Sequence, residues 1–154
     1  MIYYFIAFGM GLAIALQAPI NSALGKGLGS WALMPAFISF FIGTLLLATL
    51  VAFSGGFNAG FFKALTQQSL WKFLGGALGA FFVFGTILLA DKIGLINMFI
   101  TVLFAQLIMS LSLDGLGAFE LVKKEISWQK ILGLCVIFTG LLIFFSKELL
   151  RDKI

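Results

Sequence analysis

Long apolar runs alternate with short polar segments along the chain, and five of the runs contain no charged residue. A membrane-spanning helix needs about 20 mostly apolar residues, because the hydrocarbon core is about 30 Å thick and a helix rises about 1.5 Å per residue. Measured against that length, the runs predict five transmembrane helices at residues 2–24, 31–53, 73–90, 94–113 and 131–146. The pattern predicts an all-α, polytopic membrane protein with one five-helix transmembrane domain over residues 1–154.

The segments between these runs differ in length and composition. The short segments 25–30 and 91–93 predict tight turns, which join the first two helices and then the third and fourth into antiparallel hairpins. The longer segments 54–72 and 114–130 combine aromatic residues with lysine, a mixture typical of the lipid headgroup region. We expect both longer segments to lie at the membrane interface.

The first apolar run resembles a secretory signal only superficially. It is longer than the 7 to 15 residues of a signal core, and no basic segment precedes it. We therefore expect it to be retained as a transmembrane helix.

Composition supports lipid as the main solvent of the chain. Its 154 residues are 62% hydrophobic and 10% charged, against roughly 45–50% and 25% in an average soluble domain. The chain has no His and a single Cys, Cys135, so it lacks the usual ligands of a transition-metal site, a His-based triad and an internal disulfide. We expect no enzyme, no catalytic residue, no metal and no cofactor. The scattered basic residues do not indicate a nucleic-acid partner.

The charges beside the five helices give no preferred orientation in the membrane. An odd number of helices places the two chain ends on opposite sides. Five basic residues fall on the amino-terminal side: Lys63, Lys72, Lys123, Lys124 and Lys130. Five fall on the other side: Lys26, Lys92, Lys147, Arg151 and Lys153. Such a chain is expected to insert both ways and to form an inverted pair, the architecture of many transporters. The alternative is that the amino group or the first helix fixes one orientation.

The first predicted helix carries two amides on one face. Gln17 and Asn21 are four residues apart, about 40° on a helical wheel, and they continue a stripe of small residues through Gly9 and Ala13. Pro19 lies between them and removes a backbone donor, so we expect a kink or a local opening there. The amides either line a water-filled cavity or hydrogen-bond to neighbouring helices, an interaction worth about 0.6 kcal/mol on average.

The second and fourth helices carry further polar positions. Pro35, Ser39 and Gly43 form a small, polar stripe in the second helix, with a kink or a lining role expected at Pro35. Gln106 lies near the predicted midplane of the fourth helix. Because the first and fourth helices run in opposite directions, inverting one copy brings its Gln106 to the depth of Gln17 in the other. The predicted substrate-binding residues are Gln17, Asn21, Ser39 and Gln106.

Glycines spaced along two helices predict surfaces for close packing. Gly75 and Gly79 form a GxxxG motif in the third helix, and Gly133 and Gly140 share a face of the fifth. We expect these four residues to pack against other helices rather than to act in chemistry.

The acidic residues lie near the ends of the runs and not at mid-membrane. Asp91 and Lys92 are expected to form a hydrated pair in a turn, and Asp114 to gate an entrance or to cap a helix end. A proton-coupled transporter commonly keeps an ionisable group at mid-depth. Coupling to protons through a buried carboxylate is therefore disfavoured.

Three groups of residues together carry a resemblance to a known family. They are the stretch from Gln17 to Asn21 leading into Gly25 and Gly29, the stretch from Ser39 to Thr44, and Ala105-Gln106-Leu107 followed by Asp114, Gly117 and Phe119. In this order and spacing the chain resembles, over nearly its whole length, the YdcZ family of small inner-membrane proteins in the drug/metabolite transporter superfamily. Ala105 stands where the family pattern is expected to have glycine.

The resemblance implies a five-span unit in the bacterial inner membrane that corresponds to half of a ten-helix inverted-repeat transporter. Such units assemble as antiparallel homodimers, as pairs of related chains, or as fusions. We therefore predict a transporter that works as an antiparallel dimer by alternating access. The uncharged amides and the apolar aromatic walls suit a small neutral or weakly cationic organic solute. A dual-topology channel and a non-transporting helical membrane subunit remain as alternatives.

Overall fold

The computed structural model describes the backbone of residues 1–151 and the side chains of residues 1–119 and 121–146. The helices, in chain order, are α1 (Ile2–Gly27), α2 (Leu33–Phe53), the short α3 (Ala59–Thr66), α4 (Leu74–Ile93), α5 (Leu95–Leu116) and α6 (Trp128–Arg151). A 3-10 turn at Leu70–Phe73 leads into α4, and another follows α5 at Ala118–Glu120. Five helices are long and apolar enough to cross a membrane, which confirms the predicted all-α, polytopic fold.

The helices are longer at several ends than the charge-free runs predict. α1 continues to Gly27, α4 to Ile93, and α6 begins at Trp128. The predicted turn at 91–93 is therefore wrong, since these residues are helical and Gly94 alone joins α4 to α5. The turn predicted at 25–30 begins later than expected, because α1 continues to Gly27. A helix end that projects into the headgroup region accommodates charged side chains, so a charge marks the membrane boundary rather than the helix end.

Glycine provides the stop signal for α1. Gly29 adopts a left-handed backbone conformation, with φ of 57°. Its amide donates to the carbonyl of Lys26 at 3.1 Å, and the amide of Ser30 donates to the carbonyl of Gly25 at 3.0 Å. This pair of hydrogen bonds is a Schellman motif, which satisfies the last carbonyls of the helix. Gly55 ends α2 in the same way, with φ of 70°.

The chain divides into two compact units, Met1–Leu95 and the residues from Ile96 onward. In the first unit, α1, α2 and α4 pack on one another. Its apolar core is formed by Ala32, Ala36, Val83 and Ile87. The ring of Trp31 packs edge-on against that of Phe84 at 5.4 Å between centroids. Small residues near the start of α2 thus let α4 approach closely. The single five-helix domain stays a prediction.

The two glycines of the GxxxG motif in α4 have different surroundings. A Cβ on Gly79 would lie 3.4 Å from the Cζ of Phe40 on α2, so Gly79 lies at a helix contact. A Cβ on Gly75 would meet nothing within 4 Å, and the same holds for Gly133 and Gly140 on α6. Within the described chain, Gly79 therefore packs on another helix, while the other three present open faces.

The connection between α2 and α4 is partly helical. The Asn58 side chain accepts a hydrogen bond of 2.9 Å from the Phe61 amide and so caps the start of α3. The rings of Phe57, Phe61 and Phe62 pack together, with centroids 5.1 to 6.4 Å apart. An aromatic cluster next to Lys63 is consistent with the expected interfacial position.

The second unit is built on α5 and α6. The rings of Phe104 and Phe138 stack across these helices at 5.4 Å. The segment after α5 folds back on that helix: the amide of Lys124 donates to the carbonyl of Asp114 at 2.9 Å, and the Lys124 ammonium pairs with the Asp114 carboxylate at 3.2 Å. A Cβ on Gly115 would clash with Ile126. Glycine at this position allows the segment to lie against α5.

Candidate functional site

Asn21 and Ser39 join α1 to α2 inside the first unit. Asn21 is only 5% exposed, and its side-chain nitrogen donates to the hydroxyl of Ser39 at 3.3 Å. The buried positions of α1 are Ala18, Asn21, Ser22 and Gly25, three or four residues apart and so on one helical face. Two residues predicted for a binding cavity are therefore brought together in this face.

The contact between α1 and α2 is closed at one end and open further along. A Cβ on Gly25 would lie 3.1 Å from the Cγ of Pro35, so only glycine fits there without displacing its neighbour. One helical turn further, Asn21 bonds to Ser39. The same antiparallel spacing, continued by one turn, would bring the half-buried Gln17 level with Gly43, where a Cβ would meet nothing within 4 Å. We call this series of positions the α1–α2 seam; its open part lies at the level of Gln17.

Pro19 and Pro35 occupy different settings in this unit. α1 continues through Pro19 without a break in the helix. Pro19 is half-buried, whereas Pro35 is less than 2% exposed and packs against Gly25. Pro35 therefore acts as a contact at the closed end of the seam, and a role of either proline in gating remains a prediction.

A second polar cluster lies at the end of α1, and the sequence reasoning missed it. The carboxylate of Asp91 accepts a hydrogen bond of 2.8 Å from the Lys26 ammonium at one oxygen, and of 3.2 Å from the Ser22 hydroxyl at the other. Ser22 and Lys26 are four residues apart on α1 and together hold Asp91 of α4. The expected pairing of Asp91 with Lys92 is therefore replaced by a link between two helices.

A signal for this link was present in the sequence. The first and third transmembrane helices run in the same direction, so their last turns end on the same side of the membrane. Lys26 and Asp91 are the first charged residues after these two runs. Opposite charges at adjacent helix ends are expected to pair. Assigning Asp91 to a turn concealed this relationship.

Two grooves flank the end of α1. The larger, of about 450 Å³, is lined by Ser22, Gly25, Lys26, Gly29, Ser30, Trp31, Ala32, Pro35, Ile87, Leu88, Asp91 and Lys92. The smaller, of about 240 Å³, is lined by Pro19, Ser22, Ala23, Lys26, Ala90, Asp91 and Leu95. Gln17, Asn21 and Ser39 line neither groove. Their assignment to a solute cavity therefore stays a prediction.

The remaining predicted site residues lie in the second unit. Gln106 is exposed on α5. Asp114 lies in α5, close to its end at Leu116, and its ion pair with Lys124 holds the following segment. Asp114 also lines a groove of about 290 Å³ between α5 and α6, together with Ser110 and Lys130. Within the described part of the chain, no group of three or more His, Cys, Asp or Glu side chains is placed to hold a metal ion.

The sequence of the chain matches one known family over most of its length. Residues 2–143 match the family described as "Putative inner membrane exporter, YdcZ". The chain belongs to the YdcZ family. No curated protein and no solved structure gives a significant match. The predicted membership of this family is thereby confirmed.

Family membership and the five apolar helices together assign this YdcZ-family protein to the inner membrane as a multi-pass protein. Its function at the coarse level is membrane transport, and membership of an exporter family does not indicate an enzyme.

Proposed function

We propose that the protein exports a small organic solute across the inner membrane as an antiparallel homodimer that works by alternating access. The family description supports export in general terms. The balance of five basic residues on each side supports insertion in both orientations, since neither side has the excess that fixes topology. Two oppositely inserted copies form the ten-helix inverted repeat on which many transporters are built.

The observation that carries the proposal is the α1–α2 seam. Its closed end, at Gly25 and Pro35, leads through the Asn21–Ser39 hydrogen bond to open space beside Gly43. Gln17 lies at this level, half-buried and nearer to the middle of α1 than Asn21. A half-buried polar side chain at membrane depth is expected to face protein or a water-filled cavity rather than lipid, and this is the setting that a solute site needs.

The proposed binding residues are Gln17, Asn21 and Ser39 of one copy with Gln106 of the inverted copy. Their depths along the sequence match when one copy is turned over. Amides and a hydroxyl both donate and accept hydrogen bonds but carry no charge. A neutral or weakly cationic solute therefore suits these residues better than a highly charged anion.

The first experiment tests the inverted dimer. Two or three lysines added near Met1 force one orientation, and the same number added after Ile154 force the other, since the natural bias is zero. Each forced variant alone is expected to show no flux in vesicles, whereas their co-expression restores it. Paired cytoplasmic and periplasmic reporters fused after Ile154 of the unmodified chain are expected to give signal on both sides. A single orientation that is fully active alone would overturn the antiparallel homodimer.

The second experiment tests the amides. Gln17→Ala and Gln106→Ala are expected to abolish flux while leaving folded dimer intact, and Gln67→Ala, at the end of α3, serves as the matched control. Loss of assembly in step with flux would contradict the binding role.

The unmodified protein distinguishes the alternative functions. Flux that does not saturate with solute would indicate a channel. Intact assembly without any flux would indicate a non-transporting subunit. Flux that appears only with a related five-span chain would replace the homodimer with a heterodimer.

A further inference from the structure

The larger groove of the first unit is a separate site from the proposed amide site. It lies where α1 ends, α2 begins and α4 ends, and its volume of about 450 Å³ falls within the range of small-molecule sites, roughly 300 to 1,000 Å³. Its lining combines charged side chains with an aromatic wall, a composition typical of ligand sites. The hydrogen-bonding capacity of these side chains decides which ligand it fits.

Each carboxylate oxygen in the groove already accepts a hydrogen bond, whereas several of its donors remain available. Both carboxylate oxygens of Asp91 accept hydrogen bonds, one from Lys26 and one from Ser22. The Lys26 ammonium has three donors and uses one of them on Asp91, and the Lys26 side chain is 68% exposed. Lys92 makes no ion pair among the described residues. The hydroxyl of Ser30, shielded from solvent, has no hydrogen-bond partner in the described structure.

The net charge of the groove also favours a ligand that accepts hydrogen bonds. After Lys26 neutralises Asp91, Lys92 leaves one formal positive charge in the lining. The helix ends at the groove contribute partial charges of about half a unit each. The ends of α1 and α4 are negative and the start of α2 is positive, so these partial charges do not cancel the lysine. The groove therefore attracts an anion.

One wall of the groove is apolar. Trp31 is held by its edge-on contact with Phe84, yet 63% of it is exposed. Ile87 and Leu88 of α4 continue this wall. A rigid, accessible indole beside aliphatic side chains binds a flat or apolar body well.

We propose that this groove binds an organic anion, with its acidic group between Lys26 and Lys92 and its apolar body against Trp31. The site goes beyond the proposed export of a neutral or weakly cationic solute, because it lies at the helix ends and uses none of the amides. A soluble organic acid and the headgroup of an anionic phospholipid share this chemistry.

Fluorescence of Trp31 in the full-length protein tests the proposal. With Trp71→Phe and Trp128→Phe in place, Trp31 is the only tryptophan, since the chain has three. The protein is placed in phosphatidylcholine nanodiscs and titrated with 4-nitrobenzoate, which quenches indole fluorescence, and the intensity is corrected for absorption by the probe. The uncharged 4-nitrobenzamide and the cationic 4-nitrobenzylamine have the same ring. Saturable quenching is expected for the carboxylate alone.

Two lysine variants separate a site from general charge attraction. Lys92→Gln is expected to weaken binding of 4-nitrobenzoate about tenfold, as loss of a charged hydrogen bond does. Lys63→Gln removes one positive charge from α3, at the opposite ends of α2 and α4, and is expected to leave binding unchanged. Gln17→Ala is also expected to leave it unchanged, so failure of this site and failure of the proposed export are distinguishable.

A second lipid distinguishes the two sources of the anion. If the natural ligand is a lipid headgroup, phosphatidylglycerol nanodiscs abolish quenching by 4-nitrobenzoate, and brominated phosphatidylglycerol quenches Trp31 in a Lys92-dependent way. If it is a soluble acid, saturable quenching by 4-nitrobenzoate persists in both lipids and is weakened in phosphatidylglycerol only by the negative surface potential of that lipid. Equal effects of Lys63→Gln and Lys92→Gln, equal binding of the amide or the amine, or no saturable quenching in either lipid would overturn the proposal.

Discussion

The side-chain nitrogen of Asn21 on α1 lies 3.3 Å from the hydroxyl oxygen of Ser39 on α2, and the two join antiparallel helices at a position shielded from solvent. A buried amide without a partner costs about 1–3 kcal/mol, which gives this hydrogen bond a structural role whatever else it does. A role in solute binding would come in addition to it. Loss of the structural role lowers the free energy of unfolding, whereas loss of the binding role lowers flux through the folded protein.

Substitution of Asn21 should reduce flux by more than the loss of folded protein explains. Ser39→Ala is expected to destabilise the fold by about 1 kcal/mol, because the amide of Asn21 loses its acceptor, and a double-mutant cycle with Asn21→Leu should give a coupling of about 0.6 kcal/mol. Flux per folded protein is expected to fall about tenfold or more in Asn21→Leu if a hydrogen bond to solute is also lost. Ser112→Ala, whose hydroxyl bonds within α5, is the control. Flux that falls only with the amount of folded protein would restrict the pair to structure.

Two neighbouring glycines at the end of α1 should respond oppositely to alanine. Gly29→Ala is expected to destabilise the protein by about 1–2 kcal/mol, since Gly29 has φ of 57° and a Cβ disfavours that conformation. Gly27→Ala is expected to be neutral or to stabilise by up to about 1 kcal/mol, because Gly27 is helical and a Cβ there meets open space. Denaturation midpoints in mild detergent measure both. Similar midpoints for the two variants would contradict the helix stop at Gly29.

Leucine substitutions separate packing inside one chain from packing between chains. Gly79→Leu is expected to destabilise the first unit by about 1–3 kcal/mol, because the larger side chain overpacks against Phe40. Gly75→Leu should leave that stability unchanged, since its face is open. If this open face contacts the partner copy, Gly75→Leu lowers the dimer fraction in cross-linking. Equal loss of stability in both variants would show that Gly75 also packs within the chain.

Transport should not depend on a proton gradient. The described carboxylates nearest the membrane, Asp91 and Asp114, lie near helix ends and are paired with Lys26 and Lys124. An imposed pH gradient alone is therefore expected to drive no concentrative uptake in vesicles, and Asp114→Asn should change flux by no more than about twofold, as loss of an exposed ion pair does. Concentrative uptake driven by pH and stopped by Asp114→Asn would instead identify an ionisable coupling site.

The sequence predicted the parts of this protein that depend on lipid as solvent. A run of 20 apolar residues has few alternatives to a spanning helix, and all five predicted helices are present. Predictions that depended on a neighbouring helix fared differently. The same GxxxG motif contains Gly79, which packs, and Gly75, which faces open space, because a motif defines a helical face but not what lies opposite.

For the polar residues too, the sequence does not show which side chain of a neighbouring helix lies opposite. Asn21 and Ser39 were both predicted as site residues from their positions in apolar helices, but their hydrogen bond follows from the register of α1 against α2. The sequence pattern pairs Asp91 with its neighbour Lys92, because it predicts a turn where the first charge appears. Helix packing instead brings it to Lys26, 65 residues away.

The closed end of the α1–α2 seam is a point about which α1 could tilt. The contact of Gly25 with Pro35 lies near one end of α1, and the helix extends from there to Ile2 over about 35 Å at its usual rise. A tilt of about 5° around that contact moves the far end of α1 by about 3 Å, roughly the width of a water molecule. A small rotation at this tight glycine contact would thereby become a larger displacement on the other side of the bilayer.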